Sequence, residues 1–429
     1  MPKITVMIPS YNHAKFIGEA IQSVLNQSFQ DFEVLVVDDC SSDNSVEVIK
    51  QFNDRRINLR VNKENQGANY VVNQMIGLAM GEYLALLNSD DVWEVTKLEK
   101  QVKCLDNSPD YAAVFSHAHL IDEESRVIES EIPTGWFCQT NRTRDEVLNY
   151  FFKYGNLFIH PSVLIRANIY KEIGQYNELL VLTPDFDMWV RICLKYPVFV
   201  LQEKLTYLRM LPNEQNASAS SIENTIRFQI EYEHILDNFL HIRNIAELRR
   251  IFPEHAEIFE LCKPDDIELA LAMIAVKGIH PAQKHWGLKV LYQVLFNKKH
   301  YLNEKSAFVK AEWFKLAKSI DPFNLKVLAS KDQIINQKEN LLKNAQEIIQ
   351  TKDNLLKQAQ AVIQAKENII DEQEKIIKAK HILIVEKEYE LVRKDNLIKD
   401  LEQKLSVSRH SLRSKLMQSL GRLKRILRR

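Results

Sequence analysis

The chain has 429 residues, and its 57 Lys and Arg side chains balance 57 Asp and Glu side chains. This length is typical of two or three domains, and the zero net charge averages over unlike parts, because residues 404–429 contain nine Lys or Arg and no acid. Five scattered cysteines without a C-x-x-C spacing argue against a disulfide framework and a zinc site. The sequence has neither an N-terminal signal pattern nor an apolar run of about eighteen residues, which argues against secretion by that route and against an integral membrane protein.

The first hundred residues alternate short apolar runs with helical patterns. Strands are predicted at residues 4–8, 34–37, 57–61 and 83–87. Between them, apolar residues recur at helical spacing over residues 17–25 and 72–79, and the polar turn at residues 41–45 supplies capping chemistry to a further helix. The alternation predicts an α/β domain with a doubly wound, mostly parallel sheet.

Two of the predicted strands lead into a pair of aspartates, Asp38-Asp39 and Asp90-Asp91. In open sheets of this kind, ligands bind at the carboxyl edge of the strands. A single Asp after a strand is as readily a turn former or a helix cap. Two such pairs in one short domain favour a site for a nucleotide or a metal ion.

A series of short strings follows the same half of the chain in a definite order. They are Val6-Met7-Ile8-Pro9-Ser10-Tyr11-Asn12, Leu25-Asn26-Gln27-Ser28-Phe29, Val36-Val37-Asp38-Asp39-Cys40-Ser41-Ser42-Asp43, Asn65-Gln66-Gly67-Ala68, Leu87-Asn88-Ser89-Asp90-Asp91-Val92-Trp93, Pro184-Asp185-Phe186-Asp187-Met188-Trp189-Val190-Arg191 and Tyr207-Leu208-Arg209. Their order and separation resemble the family 2 glycosyltransferases, which have the GT-A fold. The resemblance covers about residues 1–220.

The resemblance implies a site for a nucleotide-sugar donor. Tyr11 lies against the nucleobase in such enzymes, and Asp39 accepts a hydrogen bond from the ring N–H of the base, which favours uracil. The other donor contacts that the resemblance implies are Pro9, Asn65, Gly67, Asn88 and Asp90.

The second aspartate pair corresponds to the Asp-x-Asp motif of the family. This correspondence implies that Asp90 and Asp91 bind Mn²⁺ or Mg²⁺ against the donor pyrophosphate, and such ions prefer hard oxygen ligands. Asn88 departs from the family, which usually has an aspartate at this position. An amide can still hydrogen-bond a ribose hydroxyl or coordinate weakly, but the departure raises the alternative of an inactive module.

Inverting transfer requires a base that takes the proton of the acceptor hydroxyl. The resemblance places Asp185 at the position of the catalytic carboxylate, with Asp187 as its rival. For Asp187 the favoured interpretation is structural, as a helix cap with Arg191 in an ion pair. Asp187, Arg191, His160 and Trp136 also match positions on the acceptor side, although a lone His or Trp is more often packed than catalytic.

Four regions are expected along the chain. Residues 1–220 form the GT-A catalytic domain, and residues 221–330 form a helical domain or connector with predicted helices at 222–239, 245–251, 267–277, 285–297 and 306–320. Residues 331–405 carry a ladder of apolar residues spaced by seven, which predicts a coiled coil and a homo-oligomer of undetermined strand number. That ladder consists of Ile335, Leu342, Ile349, Leu356, Ile363, Ile370, Ile377, Ile384, Leu391, Ile398, Leu405 and Leu412.

The tail, residues 406–429, has leucines on one helical face and basic residues elsewhere. This pattern is typical of a helix that lies on an anionic membrane surface. A protein partner or continued coiled-coil packing is the alternative. Nucleic acid is not expected, because the tail offers no aromatic side chain for base stacking.

These features predict a metal-dependent, inverting glycosyltransferase that uses a UDP-sugar. The acceptor is a lipid-linked or growing surface polysaccharide, and the protein acts in the cytoplasm as a peripheral protein on the inner face of the membrane. The first alternative is an inactive GT-A module that serves as a coiled-coil scaffold. The second is a nucleotidyltransferase, for which a Gly-rich basic loop is expected after the first strand in place of Ser10-Tyr11-Asn12-His13.

Overall fold

The computed structural model describes residues 1–128, 138–211 and 221–297, with scattered helical residues between 311 and 387. Residues 1–219 and 224–322 belong to one compact unit, and residues 220–223 and 323–429 to a second. In the second unit, the described residues 341–346 are helical. Trp136, ten of the twelve ladder positions and the basic tail lie outside the described residues.

Among the described residues, eight strands form a single sheet in the order β3-β2-β1-β4-β7-β6-β8-β5. Their bounds are β1 Ile4–Ser10, β2 Phe32–Asp38, β3 Ile57–Val61, β4 Tyr83–Leu86, β5 Val92–Trp93, β6 Ala113–Ile121, β7 Leu164–Arg166 and β8 Val198–Arg209. The first four strands run parallel, whereas β7 is antiparallel to β4 and β6, and β5 is antiparallel to β8. The predicted α/β fold with a mostly parallel sheet is confirmed.

The helices lie between and after the strands. Their bounds are α1 Ile17–Leu25, α2 Ser45–Lys50, α3 Ala68–Leu78, α4 Lys97–Asn107, α5 Arg144–Tyr154, α6 Ala167–Ile173, α7 Pro184–Cys193, α8 Ile222–Asp237, α9 Ile245–Ile251, α10 Ala256–Phe259, α11 Ile267–Ala275 and α12 Pro281–Asn297. Helix α12 begins at Pro281, four residues before the predicted start, because the fixed φ of proline suits the first turn of a helix. Of the helix predicted at 306–320, residue 311 and residues 313–318 are described, and they are helical.

A hydrophobic core covers each face of the sheet. Alternate residues of β1 point to opposite sides, so that Val6 and Ile8 join one core while Met7 joins the other. Helices α1 and α4 cover the first face. The second face carries α3 and α5 to α7, and helices α8 to α12 continue this same core, so the helical region after the sheet packs on it directly.

The parallel register brings both aspartate pairs to one edge of the sheet. Ser10 at the end of β1 lies opposite Asp38 at the end of β2. On the other side of β1, Met7 lies opposite Leu86, the last residue of β4. The segments that follow β1, β2 and β4 therefore leave the sheet at its carboxyl edge, as predicted for the binding site.

Gly81 precedes β4 where its backbone touches β1. A Cβ at this position would lie 2.4 Å from the Thr5 nitrogen and 2.7 Å from the Ile4 carbonyl carbon. We expect Gly81→Ala to lower the free energy of unfolding by about 1–3 kcal/mol, because the backbone must move to make room. Urea denaturation measures this change.

Gly77→Ala is the matched control for Gly81→Ala. Gly77 lies in α3, and a Cβ there meets no atom within 4 Å. We expect this change to raise the stability by about 0.5–1 kcal/mol, because alanine has the higher helix propensity. Equal effects of the two substitutions would contradict the close approach at Gly81.

Candidate active site

The loops that follow β1 and β2 are tied together by side-chain hydrogen bonds. Asp38 is fully buried and accepts from Ser10 Oγ at 3.0 Å and from the Ser41 N–H and Oγ at 2.8 and 2.6 Å. Asn12, which has a φ of 52°, donates its N–H to Ser41 Oγ at 2.8 Å. Asp38 therefore holds the scaffold of the site, while the neighbouring Tyr11 side chain stays 47% exposed.

Asp39 joins the loop after β2 to the loop before α3. Its carboxylate accepts from Asn62 Nδ2 at 2.8 Å, from the Gln66 N–H at 3.0 Å and from the Gly67 N–H at 2.8 Å. Gly67 has a φ of 91°, which L side chains rarely adopt, so this close backbone approach depends on glycine. The structure thus brings the predicted donor residues Asp39 and Gly67 into direct contact.

In the loop from β4 to β5, residues 87–91, the two aspartates differ in burial and in their hydrogen bonds. Asp91 is almost fully buried, and it accepts from Asn88 Nδ2 at 2.9 Å and from the Arg209 N–H at 2.9 Å. Burial and the neighbouring Asp90 raise the pKa of Asp91 well above its ordinary value. Asp90 is half-buried, and burial raises its pKa against the opposing charges of His13 and Arg209.

The hydrogen bonds of this loop explain why residue 88 is an amide and not a carboxylate. Its NH₂ group donates to the Asp91 carboxylate, whereas an aspartate at position 88 would set a further negative charge against an already buried one. The departure from the usual family motif is therefore compatible with an intact carboxylate pair.

Two residues that the sequence analysis did not assign complete this loop. His13 Nδ1 lies 2.7 Å from Ser89 Oγ. Arg209 is buried at the end of β8, and its guanidinium donates to the Asp90 carbonyl at 2.7 Å and to the Asp122 carbonyl at 2.8 Å. It also pairs with Glu19 of α1 at 2.6 Å. Both residues lie within or just after the recognised strings, but nothing in those strings shows which of them is buried.

Asp185 is the second residue of α7 and lies in a polar cluster between helices. Its Oδ2 accepts from Asn156 Nδ2 at 2.8 Å, and its charge interacts with His160. Burial raises the pKa of Asp185, which His160 and Asn156 oppose. Burial also lowers the pKa of His160, whose Nε2 lies 3.0 Å from the hydroxyl of Tyr176.

A hydrogen bond connects the turn beside this cluster with the strand after the aspartate loop. Trp93, two residues after Asp91, donates its indole N–H to the Pro161 carbonyl at 2.8 Å. Pro161 follows His160 in the short 3₁₀ turn His160–Ser162. This buried hydrogen bond therefore ties the strand after the aspartate loop to the turn that carries His160, although the two segments are 68 positions apart in the sequence.

Asp187 and Arg191 form the ion pair that the sequence analysis proposed as the structural alternative. Their side chains lie 2.7 Å apart, and Asn238 Nδ2 donates to the other Asp187 oxygen at 2.9 Å. Arg191 also donates to the Ile173 and Gln175 carbonyls. These contacts engage both charged groups in joining α7 to α6 and to the end of α8.

Within the described part of the chain, no cluster of three or more His, Cys, Asp or Glu side chains is arranged to hold a metal ion. Burial raises the pKa of both Asp90 and Asp91, and the charge of Asp90 raises that of Asp91 further, so keeping both carboxylates ionised is costly. A divalent cation would relieve that cost, and Mg²⁺ is commonly bound by one or two carboxylates with substrate phosphates supplying further ligands. The two aspartates fit such an ion.

Comparison with known proteins assigns the chain to a family. The model of glycosyl transferase family 2 matches residues 5–174. The uncharacterised glycosyltransferase MJ1057 of Methanocaldococcus jannaschii is 32% identical over 220 residues, which are 50% of this chain and 73% of that protein. TuaG of Bacillus subtilis, a protein named for teichuronic acid biosynthesis, is 40% identical over 104 residues, 24% of this chain and 41% of TuaG.

Among solved structures, S. aureus TarS 1–349 in complex with UDP-GlcNAc aligns with 74% of this chain and 90% of its own, at 17% identity and a TM-score of 0.47. The sheet, its aspartate-bearing edge and the family match define the protein as a glycosyltransferase with the GT-A fold. More specifically, the chain belongs to glycosyl transferase family 2.

Proposed function

We propose that this protein is an inverting, metal-dependent glycosyltransferase that uses a UDP-sugar and extends a lipid-linked or growing surface polysaccharide. One observation carries the proposal: the strand after the aspartate loop is hydrogen-bonded through Trp93 to Pro161, whose neighbour His160 interacts with the charge of Asp185. A donor at the sheet edge and an acceptor beside Asp185 could therefore meet. Family membership supplies the reaction class.

Two residues, Tyr11 and Asp39, support a uracil nucleotide. The half-exposed ring of Tyr11 is available to stack on a base, and Asp39 offers a carboxylate to the ring N–H. The Gln66 N–H is shared between both Asp39 oxygens, which also accept from Asn62 and Gly67, so a base N–H would take the place of one half of this shared contact. Pro9, Asn65 and Asn88 remain proposed donor contacts.

Asp90 and Asp91 are the residues that would hold Mn²⁺ or Mg²⁺. Such an ion, when bound, neutralises the charge that develops on the departing diphosphate. Asp90 is the more exposed of the two and would contact the ion directly. Asp91, held by Asn88 and the Arg209 N–H, has one further lone-pair direction on each oxygen to offer.

Asp185 would act as the general base. The acceptor oxygen forms a bond to C1 of the sugar while the bond from C1 to the diphosphate oxygen breaks, and Asp185 takes the hydroxyl proton. A carboxylate with a raised pKa is a better base near neutral pH than an ordinary aspartate. His160 and Trp136 remain proposed acceptor-side residues.

The acceptor class and the assembly are proposed from the rest of the chain. The name of TuaG supports a polysaccharide as product. Of the heptad ladder, the structure describes Leu342 and Ile384, which are helical and 52% and 55% exposed. Partner helices of a homo-oligomer would cover them, and the tail at 406–429 would hold the protein on the cytoplasmic face of the membrane. No helix in the described residues is long and apolar enough to cross a membrane.

Release of UDP from a panel of UDP-sugars in the presence of Mn²⁺ tests the proposal. We expect one sugar to be turned over, with loss of activity in EDTA and recovery with Mn²⁺. Asp90→Asn should lower kcat by about 10²–10³-fold, because a metal contact contributes several kcal/mol to the transition state. Asp110→Asn, at an exposed position after α4, is the control and should be fully active.

Other outcomes of the same panel would change the assignment. Turnover that is insensitive to EDTA would contradict metal dependence. An absence of turnover with every nucleotide sugar would favour the scaffold alternative. The nucleotidyltransferase alternative has no support in the loop after β1, where Asn12 and Tyr11 replace a Gly-rich basic loop.

A further inference from the structure

Asn156 lies between two helices that frame the proposed base. Helix α5 ends at Tyr154, Gly155 with a φ of 92° then turns the chain sharply, and Asn156 follows directly. Its Nδ2 donates to Asp185 Oδ2 at 2.8 Å, and its Oδ1 accepts from the Phe158 N–H at 3.0 Å. The side chain thus bridges its own turn and the first turn of α7.

The second of these hydrogen bonds determines the orientation of the amide. A rotation of the amide by 180° would direct its oxygen at the Asp185 carboxylate and its NH₂ group at the Phe158 N–H. Both contacts would then be repulsive, because two acceptors and two donors would face each other. The NH₂ group must therefore point at Asp185.

Aromatic packing holds both partners in place. Phe158 stacks on Phe115 with the ring centroids 4.1 Å apart, and it also packs edge-on against Phe151. Phe186, next to Asp185, packs on the same Phe151 ring at 5.3 Å. The donor and the acceptor of the hydrogen bond are thus anchored to one buried cluster.

We propose that Asn156 is a positioning residue for Asp185: its amide fixes Oδ2, so that the other carboxylate oxygen is presented to the acceptor hydroxyl. The inference rests on the proposed role of Asp185 as base. It gives Asn156 a function that is not predicted from the sequence strings, since Asn156 lies outside all of them.

The same hydrogen bond affects the protonation of Asp185. Burial raises the pKa of Asp185, and the Asn156 hydrogen bond acts in the opposite direction by stabilising the ionised form. The other titratable groups facing this carboxylate are His160 from the 3₁₀ turn and Tyr176 from the segment after α6. Glu231 of α8 accepts from the Thr183 N–H at 2.9 Å, just before α7. Loss of Asn156 should therefore move the acid limb of the pH profile to higher pH.

The test compares full-length variants by the pH dependence of kcat/KM and by UDP affinity. Asn156→Leu should lower kcat about 10- to 100-fold, because it removes a hydrogen bond to an ionised group, while UDP affinity stays unchanged. Its acid limb should lie at higher pH than that of the wild type. Asn156→Asp is nearly identical in shape and should shift the acid limb further, because it sets a second carboxylate against Asp185. If Asn156→Leu does not fold, Asn156→Asp serves as the test in its place.

Asn149→Leu is the matched control. Asn149 lies in α5 and donates to the Ile251 carbonyl of α9 at 2.7 Å, and not to Asp185. Its loss should reduce stability without moving the acid limb. An unshifted limb in both Asn156 variants would overturn the inference, as would wild-type kcat in Asn156→Leu. Full activity of Asp185→Asn would instead overturn the proposed base, so the two failures are distinguishable.

Discussion

Asp185→Asn is expected to lower the rate of sugar transfer by about 10²–10⁴-fold, because the acceptor hydroxyl loses the group that takes its proton. The proposed donor contacts lie at the sheet edge, so UDP affinity should remain within about twofold of the wild type. Steady-state rates with the cognate UDP-sugar and calorimetry with UDP measure the two quantities. A parallel loss of UDP affinity would place Asp185 in the donor site instead.

Asp185→Asn should lower the activity but raise the stability of the fold. The pKa of Asp185 is raised above its ordinary value of 3.8, so the folded chain binds the proton more tightly than the unfolded chain. The wild type therefore loses stability as the pH rises through the interval above 3.8. Asp185→Asn should be more stable than the wild type at pH 7, and the difference should disappear in acid.

Asp187→Asn is the matched control for Asp185→Asn. Asp187 lies two residues further along α7 and is engaged with Arg191 and Asn238. Its replacement leaves a partly buried guanidinium, 18% exposed, without its carboxylate, so the free energy of unfolding should fall. The activity of the folded fraction should be largely retained. Greater catalytic loss at Asp187 than at Asp185 would reverse the proposed roles.

Arg209→Met should destabilise the fold by about 2–5 kcal/mol, because the Asp90 and Asp122 carbonyls lose their donor at a cost of about 1–3 kcal/mol each, whereas Glu19 is 43% exposed and stays solvated. The guanidinium of Arg209 is inaccessible to solvent and binds the Asp90 and Asp122 carbonyls as well as Glu19. Methionine fills a similar volume but leaves these groups unpaired. Because the Asp90 carbonyl is one of them, metal-dependent UDP binding should weaken even below the unfolding temperature.

Arg126→Met provides the control for Arg209→Met. Arg126 lies on the same hairpin that Arg209 contacts, and its side chain pairs with Asp122 and Glu124 while remaining 73% exposed. Exposed ion pairs contribute about 0–1 kcal/mol, so this variant should melt close to the wild type. Similar melting temperatures for the two variants would contradict the structural role of Arg209.

The first four strands and the carboxyl edge at which the aspartates lie could be predicted from local patterns. Apolar runs at residues 34–37 and 83–87 were enough to predict buried strands, and both strands occur. Asp39 follows β2 directly and Asp90 follows β4 after three residues, so their place at the carboxyl edge depends on the parallel direction of β2 and β4. The predicted start of a helix was less accurate for α12, which begins at Pro281 and not at residue 285.

The partners of these carboxylates could not be predicted in the same way. Arg209 reaches Asp91 across 118 positions, and Asn156 reaches Asp185 across 29. No sequence periodicity links such pairs. The Arg209–Asp91 contact depends on how β8 pairs with β5, and the Asn156–Asp185 contact depends on how α5 packs on α7. The resemblance to the family indicated Asp185, but it did not indicate that Asn88 and Arg209 hold Asp91.

The sequence by itself therefore determined the α/β class, the carboxyl-edge aspartates and the family, since these follow from hydrophobic periodicity and from short strings of neighbouring residues. The tertiary structure alone decided which carboxylates are buried, which remain open to a ligand and which groups shift their pKa values. The physical reason is that burial and charge interactions depend on distances in space, and the elements that set those distances are far apart along the chain.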